Sequence, residues 1–268
     1  QSNTAIGYAA LSAAAVNQNT AIGARALNVF TGSNATAVGS GAADVLTTAT
    51  NTVAIGKDAL GSTTDGHNNT AVGASCLNNA DAGDNNVAVG YSSLVNYTGS
   101  NAVAVGVGAL DACTTGGFNT AVGKDALGTT DDGERNTAVG YQALNANWGT
   151  NNTGIGFEAL ESCTGDFNVA VGSASGDAIT SGVQNTAVGH GSLSGTDTGH
   201  YNVAIGTSAL QADCVDNNVA VGVAALYNFT GSSATAVGYQ ALDACTTGAE
   251  TVAVGSGALG AVIDGHYN

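Results

Sequence analysis

Asn136-Thr137-Ala138-Val139-Gly140-Tyr141-Gln142-Ala143-Leu144 is one copy of a segment that recurs along the whole chain, and Asn119 to Leu127 is another. Its glycine falls at Gly7, Gly23, Gly39, Gly56, Gly73, Gly90, Gly106, Gly123, Gly140, Gly156, Gly172, Gly189, Gly206, Gly222, Gly238 and Gly255. The first and last of these are 248 residues apart over fifteen intervals, a mean of about 16.5, and every spacing is 16 or 17. A period this short and this regular points to a solenoid in which one unit cannot bury its own apolar face and must stack on its neighbours.

Within the unit each position is tightly restricted. The residue before the glycine is always Val or Ile, and the residue three before it is always Thr or Val. Between them stands Ala, replaced once by Gly154. A β-branched run bounded by glycine predicts a short strand. Alternation places the two β-branched positions on one face and Ala on the other. Four residues after the glycine comes Leu in 14 of 16 units, as at Leu11, Leu27, Leu60 and Leu144; Ala43 and Gly176 are the exceptions. This Leu is the expected core plug. Asn precedes the glycine by four in 11 of 16 units, which predicts a ladder of amides along one corner. The glycine itself is expected in a bend with positive φ.

A second layer groups the units in fours. Units after Gly23, Gly90, Gly156 and Gly222 carry Thr31-Gly32, Thr98-Gly99, Thr164-Gly165 and Thr230-Gly231. Units after Gly56, Gly123, Gly189 and Gly255 carry Thr/Asp-Gly loops instead. The expectation is an all-β chain, a parallel β-solenoid of sixteen coils of about 16.5 residues. It forms one repeat domain over 1–268, with super-repeats at approximately 1–66, 67–133, 134–199 and 200–268, and is read as a segment of a longer array.

Composition excludes several functions. Lys and Arg number 4 against 20 Asp and Glu, a formal charge of −16, so polyanions such as nucleic acid are repelled. No apolar run approaches the roughly 20 residues of a membrane-spanning helix, so no membrane insertion is expected within this segment. Catalysis is not expected either, because a thin coil with few bulky apolar residues offers no walled pocket, and no metal or cofactor site is assigned. Cys113, Cys163 and Cys245 share a slot filled elsewhere by Phe30, Leu46 and Ile179, and so read as small buried apolar residues. Cys214 and Cys245 come within bridging reach only if one turn holds two units. Acidic loops with Asp-Gly leave calcium as a minor alternative, although the carboxylate spacing of calcium-binding rolls is absent. His67, His200 and His266 share one loop position with Glu134 and read as loop residues four coils apart. The column three before the glycine holds nine Thr and seven Val, too mixed to favour ice binding.

The conserved-looking Ala suggests close approach of another chain on its side of the strand, and hence a homo-oligomer, a trimer in preference to a monomer. The repeated Asn-Thr-Ala-Val-Gly-x-x-Ala-Leu resembles the head repeats of trimeric autotransporter adhesins of the YadA type, and related repeats of phage and bacterial tail fibres. The resemblance covers essentially the whole chain. It implies a trimeric parallel β-roll exposed on a cell or virion surface, an adhesin head or fibre shaft. The period here is longer than that of the adhesin heads, and residues 1–268 show no coiled-coil stalk or membrane anchor of the kind found in that family. Partners expected on this basis are further copies of the chain, as a trimer or as subunits polymerised end to end into an extracellular filament, and a host surface, glycan or matrix receptor. Tyr8, Tyr91, Tyr141, Tyr239 and Trp148, which follow or flank the strand, are the candidate surface contacts.

Overall fold

The computed structural model describes residues 2–78, 81–129, 132–146 and 149–266. It contains strands and turns and no helix among these residues. Two compact units are present, Gln1–Arg135 and Asn136–Asn268. The first holds eight three-residue strands: β1 (Thr4–Ile6), β2 (Thr20–Ile22), β3 (Thr36–Val38), β4 (Val53–Ile55), β5 (Thr70–Val72), β6 (Val87–Val89), β7 (Val103–Val105) and β8 (Thr120–Val122). The second holds β9 (Thr137–Val139), β10 (Thr153–Ile155), β11 (Val169–Val171), β12 (Thr186–Val188), β13 (Val203–Ile205), β14 (Val219–Val221), β15 (Thr235–Val237) and β17 (Val252–Val254). A minor pair, β16 (Thr247–Ala249) and β18 (Asp264–His266), lies in its last coils.

Each unit is a parallel β-solenoid with one sequence repeat per coil. In every pairing the strand meets the next copy of itself, as in Thr186↔Val203, Ala187↔Ala204 and Val188↔Ile205. The backbone continues the pairing through the turns. Gly206 N donates to the Val188 carbonyl at 2.7 Å, and Leu193 N to that of Ala209 at 2.9 Å. One repeat per coil keeps Cys214 and Cys245 two coils apart, and all five cysteines are buried.

The faces of the strand are the reverse of the expected interface. Ala at the strand centre points inward and is buried in coil after coil, for example Ala37, Ala104, Ala187 and Ala220. The Thr/Val and Val/Ile positions point outward, with Ile205 40% exposed. Ala is retained because the lumen is narrow. A Cβ added at Gly154 would lie 2.9 Å from the Ala159 carbonyl oxygen and 3.1 Å from Leu144 Cγ, so a methyl group already fills the space. Leu27, Leu60 and Leu144 plug the interior as expected, and Leu11 is partly exposed in the first coil. The interior therefore closes within one chain, and the Ala column is no contact for another.

The amide ladder is present, but its partners are backbone groups. Asn185 Oδ1 accepts the Asn202 N–H at 2.9 Å, while Asn185 Nδ2 donates to the Gly199 carbonyl at 2.8 Å. Asn136, Asn152, Asn168 and Asn202 repeat this pair of bonds to the following coil. These side chains satisfy corner groups that no strand ladder reaches.

The motif glycines adopt φ of 130–145°. They also carry no side chain for want of room: a Cβ on Gly206 would stand 2.6 Å from the Gly222 carbonyl of the next coil. More unexpected is Leu, which sits at φ near 50°, as at Leu27 and Leu60, a left-handed conformation that side chains ordinarily avoid. That conformation turns Leu into the lumen at a sharp corner. In three of its four Thr-Gly units the second layer also has a steric origin. Phe30, Tyr97 and Phe229 are buried plugs of the far loop, and a Cβ on Gly32, Gly99 or Gly231 would lie 2.7, 2.6 or 2.7 Å from the ring two residues back. The threonine between donates its hydroxyl to the carbonyl of the next coil, at 3.1 Å for Thr31, 2.8 Å for Thr98 and 2.8 Å for Thr230.

Two substitutions test this arrangement by denaturant unfolding. Asn185→Ala, which orphans a buried N–H and a buried carbonyl, is expected to lower stability by about 2–4 kcal/mol. Ala204→Leu overpacks the lumen and is expected to cost at least about 1–3 kcal/mol, whereas outward Val203→Ala should cost under about 1 kcal/mol. Equal costs for the last two would contradict the inward placement of Ala.

Candidate functional site: the outward face of the sheet

The strands put two columns of β-branched side chains on the outer face of each unit. In the second they are Thr137, Thr153, Val169, Thr186, Val203, Val219, Thr235 and Val252, then Val139, Ile155, Val171, Val188, Ile205, Val221, Val237 and Val254. No charged residue interrupts either column in either unit. This is notable on a chain with 20 acidic residues. The four cations are all paired with acids elsewhere: Arg25 with Asp44, Lys57 with Asp58, Lys124 with Asp125, and Arg135 with Glu134 at 3.2 Å.

The tyrosines singled out from sequence flank this face immediately after the motif glycine. Tyr8 is 83% exposed, and Tyr91, Tyr141 and Tyr239 are exposed as well. Tyr141 stacks on Phe157 of the following coil, with ring centroids 5.3 Å apart and planes 16° from parallel. Trp148 lies outside the described residues. On the other side of the strand, five residues before the glycine, a further column holds Asn in 7 of 16 units, at φ near 60°. Asn51 donates to Asn68 at 3.1 Å, Asn68 to Asn85 at 3.1 Å and Asn85 to Asn101 at 3.3 Å, an exposed amide ladder. The same column contains Phe118, Phe167 and Tyr201, all more than half exposed, which the sequence argument passed over. The available signal was an aromatic residue in a slot otherwise filled by polar residues, Asn most often.

The histidines belong to the coil-to-coil bonding. His67 Nδ1 accepts the Thr50 N–H at 3.2 Å while the His67 N–H donates to Asp84 Oδ1 at 2.8 Å. His200 repeats the pattern with Val183 at 3.1 Å and Asp216 at 2.8 Å. Glu134 at the fourth such position pairs with Arg135, and the side chain of His266 lies outside the described set. Among the described residues no three His, Cys, Asp or Glu side chains are grouped to hold a metal ion. No helix of the described residues is long and apolar enough to cross a membrane.

The thiols are shielded from reaction. Burial pushes Cys76 up to about 12, and Cys163 and Cys214 each up to about 11. Acidic groups five residues after the motif glycine are also perturbed. Burial raises Asp111, Glu161 and Asp177 above the ordinary carboxylate value, with the neighbouring acids adding to the effect. Asp81 moves the other way, because the Thr64 hydroxyl and N–H both donate to its carboxylate.

No protein-family model matches this chain, and no curated protein matches it.

A raised folded-state value means that the ionised form is disfavoured by folding, so these groups add stability as pH falls through their raised values. Asp81 offsets this only when pH falls below the usual carboxylate value of about 4. The midpoint of thermal unfolding should therefore be higher at pH 5 than at pH 7, and Asp177→Asn should reduce the difference. A midpoint that falls between pH 7 and pH 5 would contradict the assignment.

Proposed function

We propose that the chain is a non-catalytic segment of an extracellular fibre or adhesin shaft, on a cell or virion surface, that assembles with further copies of itself. The observation that carries this reading is the uncharged outward face of the sheet. Each coil leaves one Val or Ile and one Thr or Val partly exposed there. Apolar surface that repeats without interruption over many coils marks an interaction site. Two chains that each carry −16 can approach closely only where neither presents charge. This face meets that condition, and the Ala column, being internal, does not.

The number of chains comes from the resemblance to trimeric adhesin heads and tail-fibre repeats, which favours three. The surface location rests on the same likeness. Mechanically, the fold suits a shaft. Extension along the axis would break the inter-coil ladders, and the variable loops are free to present contacts outward. The competing arrangement is a single-chain solenoid that polymerises end to end. It is favoured by the interior's being complete within one chain.

Light scattering on the chain, with electron microscopy of the same sample, separates the two. The expected mass is three times 25.8 kDa, about 77 kDa, as discrete rods. Val203→Glu combined with Ile205→Glu should reduce the mass to one chain without lowering the unfolding midpoint by more than a few degrees. A single-chain mass for the unmodified protein, or filaments one chain wide, would overturn the trimer.

A further inference from the structure

Phe167, Gln184 and Tyr201 occupy one column on three consecutive coils of the second unit, five residues before Gly172, Gly189 and Gly206. All three are exposed, Phe167 by 55% and Tyr201 by 52%. Their backbones are left-handed, with φ of 60°, 57° and 60°. Asn is the residue best suited to that conformation, and it fills the slot at Asn34, Asn51, Asn68, Asn85, Asn101, Asn151 and Asn217. An aromatic residue there is disfavoured twice, by its backbone conformation and by the apolar ring it leaves in water. At these three positions the coil-to-coil bonds are made by the backbone, not by the side chains, although the Tyr201 ring meets that of His200. Phe167 N donates to the Thr150 carbonyl, Gln184 N to that of Asp166, and Tyr201 N to that of Val183. Asn would make the same bonds without either penalty. The backbone bonds of the coil stack do not require the rings.

We propose that this column is a binding strip for a neutral, extended glycan of β-1,4-linked pyranose units, laid along the solenoid axis. The two aromatic residues stand two coil steps apart, about 9.6 Å. A β-1,4-linked chain presents the same ring face at every second sugar, a repeat close to this spacing. Each aromatic ring offers a flat apolar face to the C–H groups of one such sugar. The exposed Gln184 amide lies between them, opposite the intervening sugar and its hydroxyls. Polar groups border the strip on the loop side. Asp166 is partly exposed, and the His200 ring stands 6.1 Å from that of Tyr201, tilted by 56°. The surplus of acidic groups disfavours sulfated or carboxylated glycans, which is why a neutral chain is specified. The strip is distinct from the tyrosines that follow the motif glycine, on the far side of the strand. It deepens the adhesin reading by naming a ligand class, yet it does not depend on the number of chains.

The test is calorimetric titration of the full chain with cellohexaose and with chitohexaose, using maltohexaose as the α-linked control. Phe167→Asn with Tyr201→Asn installs the column's own preferred residue, so folding should be kept and the unfolding midpoint unchanged or raised. Binding of a β-linked hexaose by the unmodified chain, weakened at least tenfold in the double variant, is the expected result. Gln184→Ala should weaken it less. No binding of either β-linked probe, equal binding of maltohexaose, or undiminished binding by the double variant would each overturn the proposal. None of these outcomes bears on the mass measurement, so the glycan strip and the multichain fibre stand or fall separately.

Discussion

Everything in this protein depends on the bonding of each coil to the next. A coil of about 16 residues has one three-residue strand and a lumen a few side chains wide, too little to bury a core or to pair its own backbone. The strand ladder, the turn-to-turn bonds and the Asn corner all run from one coil to its successor. Register is therefore the central requirement. Because side chains alternate, a slip of one residue would carry Ala outward and Val or Ile into a lumen with no room for them. The steric limit at Gly154 and the left-handed Leu corner act together to exclude that slip.

The same constraint divides the surface. Positions that touch a neighbouring coil are restricted, and so the repeat is strict at the strand and the glycine and holds Asn at the corner in 11 of 16 units. Positions that touch only water or an external partner are free, yet they are not all varied. The outward Val/Ile column stays β-branched and apolar although it is partly exposed to solvent, and no acidic residue stands in it. A free surface would drift toward polar residues. The proposed assembly rests on this restraint at exposed positions, and the proposed glycan strip extends the same logic to the aromatic residues of the left-handed column.

The repeat, its period, the strand, the Leu plug and the Asn corner were legible in the chain because each follows from local spacing and residue type. The far-loop grouping in fours was also visible, although its cause was not. Gly32, Gly99 and Gly231 make way for the rings of Phe30, Tyr97 and Phe229, and that contact exists only once the loop has closed. The separation of Cys214 and Cys245 likewise turned on how many units complete a turn.

The sequence by itself determined that sixteen short strands alternate between a small-residue face and a β-branched face, because a pleat of period two sorts neighbouring positions whatever lies on either side. Only the tertiary structure decided which of those faces is the inside. Hydrophobicity argued for burying Val and Ile, and the width of the lumen overruled it: two walls this close leave room for a methyl beside Leu and nothing larger. The placement of Phe167 and Tyr201 on strained, exposed backbone was settled in the same way, since handedness at a residue is a property of the closed coil and cannot be read from composition or period.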